Sequence, residues 1–62
     1  MSRYAELAGE LDAIGATLDE RSLDLLHEAM AAGATKRPEA DKVLTQARRA
    51  VEKAARLLES LD

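Results

Sequence analysis

The chain has no cysteine, no tryptophan, no phenylalanine, one proline and a single aromatic residue, Tyr4. Without cysteine there is no disulfide framework and no thiolate metal site. One histidine, His27, cannot build a structural zinc site within one chain unless carboxylates complete it. With one aromatic and few β-branched residues, strands are not expected. Long apolar runs are missing too. No stretch approaches the roughly eighteen residues of a membrane span, and no basic segment followed by an apolar run opens the chain. We therefore expect a cytoplasmic protein with no membrane partner. Catalytic signals are also absent. There is no glycine-rich phosphate loop and no nucleophile with a base at a meaningful spacing, so no enzyme activity and no cofactor are expected.

What is present is helix-forming and short. Ala, Glu, Lys, Leu and Arg supply 39 of the 62 residues, a composition typical of long helices and coiled coils. A chain this small buries too little of its unfolded surface to be robust alone. Natural proteins of this size use disulfides, a metal or oligomerisation, and oligomerisation is the support left. The net charge of −3 is unevenly placed: residues 1–35 carry −5 and residues 36–62 carry +2. The two halves are complementary if they lie side by side.

The clearest punctuation is GATKRPEAD, residues 33–41. Gly33 suits the left-handed position just past a helix end, and Pro38 is tolerated in a first helical turn. Thr35 is a candidate N-cap, with Arg37, the residue before proline, as the alternative boundary. Glu39 and Asp41 bring negative charge to the helix start. A single domain follows, with arm one at about 2–32, the turn at about 33–37 and arm two at about 38–61.

Arm two carries a three-four seam at Leu44, Ala47, Val51, Ala54, Leu58 and Leu61. In arm one Tyr4, Leu7, Leu11, Ile14 and Leu18 form the matching seam. Continuing that heptad would bring Arg21 and Glu28 inward, so the phase must change. A four-residue stutter would continue as Leu18, Ser22, Leu25, Ala29 and Ala32 on one helix. Alternatively Gly15 ends a first helix, and Thr17 with Glu20 forms a capping box that starts another. We expect the first: an all-α, long antiparallel helical hairpin, with a monomeric three-helix bundle as the alternative. Folding near residue 35 would set Leu26 near Leu44, Leu18 near Val51 or Glu52, and Leu11 near Leu58 or Glu59.

Two facing helices satisfy one stripe apiece. Val43, Ala50 and Leu57 on arm two, with Leu23, Leu26 and Met30 on arm one, form a second apolar set and are the candidate interface residues. A second copy of the hairpin covering them would make a homodimeric four-helix bundle with coiled-coil packing. The functional expectation is a helical protein–protein interaction module that self-associates and can bind another helical protein.

Two sharper chemistries are weaker alternatives. Asp24-x-x-His27 has the spacing of the Glu-x-x-His pairs of di-iron bundles, but the bridging glutamates are missing. Lys42, Arg49 and Arg56 form a basic stripe with Lys53 between them, the pattern of a phosphate-binding face. Glu52 and Glu59 lie three or four residues from these cations and neutralise the stripe locally. Nucleic acid is therefore not expected as the main partner.

The opening stretch YAELAGELDAIGATLD, residues 4–19, is similar to the first helix of the exonuclease VII small subunit. The likeness lies in an aromatic followed by repeated Glu-Leu pairs and an apolar residue near Ile14. It covers about the first nineteen residues and implies a small acidic helical hairpin that binds a larger nuclease subunit. Beyond it the chain departs from that family. The glycine-bearing link after the first helix is absent, and GATKRPEAD has no counterpart.

Overall fold

The computed structural model describes residues 3–36 and 38–62. The alternative boundary at Arg37 lies outside these residues. Helix α1 spans Arg3–Ala31 and helix α2 spans Glu39–Glu59, and they pack antiparallel as a helical hairpin. The body measures 48 × 15 × 9 Å, with a radius of gyration of 14.6 Å. A compact chain of this length would have about 10.6 Å.

Helix α1 is continuous, which removes the three-helix alternative. Gly15 lies inside it, and Thr17 is not a cap: its hydroxyl donates to the Ala13 carbonyl at 3.2 Å, one turn back. Two interior glycines do not break the helix because alanines, leucines and glutamates surround them. At its end, Gly33 has φ 83°, the amide of Ala34 donates to the Ala29 carbonyl at 2.9 Å, and the amide of Gly33 donates to Met30 at 3.0 Å. This pair of bonds is a Schellman motif, and it satisfies carbonyls that the helix end would leave open.

Helix α2 starts differently from expectation. Its N-cap is Pro38, with φ −58° and ψ 146° and no side-chain cap hydrogen bond, so neither Thr35 as cap nor Pro38 within the first turn holds. The Asp41 amide donates to the Pro38 carbonyl at 3.0 Å. Glu39 and Asp41 do lie in the first turn, where the dipole favours them.

The inward faces are rotated from the expected seams. On α1, Ala8, Leu11, Gly15, Leu18, Ser22, Leu25 and Ala29 are buried or half-buried in an unbroken three-four rhythm, so Leu18, Ser22, Leu25 and Ala29 face inward as expected without a stutter, while Ala32 is exposed. Tyr4, Leu7 and Ile14, expected inside, are 44%, 45% and 49% exposed. On α2 the matching set is Asp41, Leu44, Arg48, Val51, Ala55 and Leu58, while Ala47 and Ala54 are half-buried at its edge and Leu61 is exposed. The chosen phase seats small residues between the helices: Ala8 and Ala55 are each 2% exposed.

The helices also slide relative to the expected pairing. The Ser22 hydroxyl meets Asp41, and the Arg48 guanidinium lies over Gly15. That register places Ala8 level with Ala55 and Leu18 level with Thr45, about one heptad from the expected pairing of Leu18 with Val51. The cause is the asymmetric turn. Seven residues, 32–38, separate the end of α1 from the start of α2, so the end of α1 projects past it. Leu26, Ala29 and Met30 there face Ala34, Thr35 and Lys36 of the turn across a shallow hollow, rather than α2.

Candidate interaction surface

A two-helix hairpin has two long flanks, one on either side of the plane containing the helix axes. Residues just after the inward Leu11, Leu18 and Leu25 lie on one flank of α1, and residues just before Ala8 and Gly15 lie on the other. The same rule on α2 separates Thr45 and Glu52 from Ala47, Ala54 and Leu61. Side-chain bonds show which flanks coincide. Arg48 Nε donates to both carboxylate oxygens of Asp19 at 3.1 Å, and its Nη1 donates to Glu52 Oε2 at 3.4 Å. Glu52 also pairs with Arg56. Asp19, Arg48, Glu52 and Arg56 therefore form an ionic ladder along one flank.

Arg48 is an inward position filled by a cation, which is tolerated only because the opposing residue has no side chain. A Cβ on Gly15 would lie 3.3 Å from Arg48 Cζ. The guanidinium thus crosses α1 over a bare backbone and emerges beside Asp19. One heptad nearer the turn, the polar pair is deeper. Asp41 is 1% exposed and accepts from Ser22 Oγ at 2.5 Å. Among the described residues no buried side-chain polar atom lacks a hydrogen bond, as a native interior requires.

Among the described residues the other flank has no such ladder. On α1 it begins with Leu7 and Ile14, and on α2 it carries Ala47, Ala54 and Leu61, with Val43, Ala50 and Leu57 one row further out. Leu11, Leu18, Val51 and Leu58 show half-buried edges along its floor. The two seams read from sequence as the internal core therefore lie side by side on this face, partly used between the helices and partly open.

The six candidate interface residues are split by this geometry. Leu23, Met30, Val43, Ala50 and Leu57 are exposed, and Leu26 is half-buried. Val43, Ala50 and Leu57 border the apolar flank. Leu26 stands one heptad from Asp19, on the ionic flank, with Leu23 and Met30 beyond it. The structure does not bring the two triads together. Sequence reading missed Leu7 and Ile14 as surface residues. The available signal was the seven-residue repeat of small residues at Ala8, Gly15 and Ser22, which marks the close-approach stripe.

The alternative chemistries find little geometry. Asp24 and His27 are exposed, and among the described residues no three metal-ligating side chains come together. In the basic stripe, Lys42 pairs with Glu39 at 3.5 Å and Arg56 pairs with Glu52. Lys42 and Arg49 flank a shallow hollow with Thr45 and Gln46. Among the described residues no helix is long and apolar enough to cross a membrane. Comparison with protein-family models, curated proteins and solved structures gives no match. The likeness of the first helix to the exonuclease VII small subunit rests on its own residues alone.

Proposed function

We propose that this chain is a small helical protein–protein interaction module that self-associates, two hairpins packing face to face as a homodimeric four-helix bundle. The observation carrying this reading is the shortage of core. Among the described residues the buried apolar side chains are two alanines, Ala8 and Ala55, whereas Tyr4, Leu7, Ile14, Leu23, Met30, Val43, Leu57 and Leu61 are exposed.

Surface area makes the same point quantitatively. The chain exposes 4887 Å², whereas a folded monomer of 6.7 kDa is expected to expose about 3,900 Å². The excess is about 1,000 Å². A standard protein interface buries about 800 Å² per partner, so one such contact would bring this chain close to the surface of an ordinary small domain. Large apolar side chains exposed together on one face favour association.

Sedimentation equilibrium at micromolar concentration tests the reading. It should give twice the 6.7 kDa chain mass. A monomer that melts sharply would refute it.

A further inference from the structure

The two flanks are unequal, and along the apolar flank the two ends of the hairpin are unequal as well. Resting on the self-association reading above, we propose that the second copy seats on the apolar flank in one orientation. In that orientation α1 of each copy lies alongside α2 of the other, and both turns are at the same end of the bundle.

The face follows from what each flank would place in contact. Joining two ionic flanks would bury the Asp19–Arg48–Glu52–Arg56 ladder, whose charges are already paired and half in water. Taking such pairs out of water costs more than their attraction returns. The opposite flank offers Leu7, Ile14, Ala47, Ala54 and Leu61 over a floor of half-buried leucines and Val51. Alanines at Ala47, Ala54 and Ala50 let a second pair of helices approach closely, as bundle packing requires.

The orientation follows from where the apolar residues stop. On α1, the flank positions after Leu7 and Ile14 are Arg21 and Glu28, one heptad apart. On α2 the corresponding row grows from Ala47 and Ala54 to Leu61 toward the same open end, away from the turn. A two-fold axis parallel to the helices lays these open-end patches on each other. An axis across the helices would instead set Leu7 and Ile14 of one copy against Glu28 and Arg21 of the other. It would also lay one acidic α1 against another. Residues 1–35 carry −5 and residues 36–62 carry +2, so pairing α1 with the other copy's α2 puts opposite charges together along both outer seams.

The absence of cysteine makes the test clean, because one introduced thiol is unique in the chain. Lys36 is exposed in the turn, and Lys36→Cys carrying a nitroxide reports the separation of the two turns by double electron–electron resonance. Turns at the same end should give roughly 20–30 Å, set by interaxial spacings of 8–10 Å plus the label arms. A distance above about 40 Å, near the 48 Å long axis, would overturn the orientation while leaving self-association intact. A chain that sediments as a monomer and shows no dipolar coupling would remove both. Sedimentation of two variants checks the face. Ile14→Asp should weaken association more than 100-fold, and Met30→Asp, on the other side of α1, should leave it within about threefold. Equal loss in the two would place the interface elsewhere.

Discussion

The ionic flank and the apolar flank are built on the same two helices, at positions only a few residues apart, and they are completed in different ways. The ionic flank is finished within one chain: Asp19, Arg48, Glu52 and Arg56 pair among themselves. The apolar flank has leucines and an isoleucine where the other has acids and arginines, and the described residues leave Leu7 and Ile14 about half exposed. Paired charges on a surface are stable in water as they stand. Apolar side chains gain free energy only when something displaces the water. The comparison teaches that charges are matched within the chain along one flank, whereas the apolar row of the other is left about half exposed.

The sharpest break of this comparison comes from the floor that the flanks share. Val51 lies between the helices and is half-buried. Val51→Asp should destabilise by roughly 3 kcal/mol or more, because it places a carboxylate without a partner between apolar neighbours. Arg49→Asp, exposed two residues earlier, should change stability by about 0.5 kcal/mol or less. Equal urea midpoints for the two variants would mean the inward phase is misassigned.

A smaller effect tests the polar pair between the helices. Ser22→Ala removes the hydroxyl that Asp41 accepts from and should cost about 1–2 kcal/mol, since Asp41 is 1% exposed. A neutral result in chemical denaturation would show that this bond adds nothing to the register.

The glycines separate turn from helix. Gly33→Ala should destabilise by about 1 kcal/mol, because φ is 83° there. Gly9→Ala should stabilise by about 1 kcal/mol, because an added Cβ meets nothing within 4 Å and alanine favours the helix. Thermal melts showing the same sign for both would contradict the helix bounds.

The smallest expected change is on the ionic flank itself. Asp19→Ala removes an ion pair whose carboxylate is mostly in water, and should cost roughly 0.5 kcal/mol or less. A loss above about 1.5 kcal/mol in urea melts would mean that Arg48 depends on Asp19 to stay over Gly15.

Much of the fold is legible in the sequence. The helical composition, the left-handed Gly33 and the heptads of both arms led to a hairpin, and Thr17 in the middle of α1 closes the three-helix alternative. The inward phase was not legible, for a specific reason. Periodicity ranks bulky apolar residues, so it selected Leu7 and Ile14, whereas close packing of two helices favours small ones and selected Ala8 and Gly15. Register was hidden as well. A slide of about one heptad keeps the same phase facing inward, and only the length of the turn between the helices determines which heptads meet. The candidate site was legible as surplus apolar surface but not as a location, because its position depends on that phase.

The central claim is that a second copy completes the fold, so that folding and association are one reaction. Thermal unfolding followed by circular dichroism across a hundredfold range of chain concentration tests it most directly. For a dimer that melts to unfolded chains, the hundredfold range is equivalent to about 2.7 kcal/mol and should raise Tm by roughly 10 °C. A Tm that stays constant across the range would contradict the account.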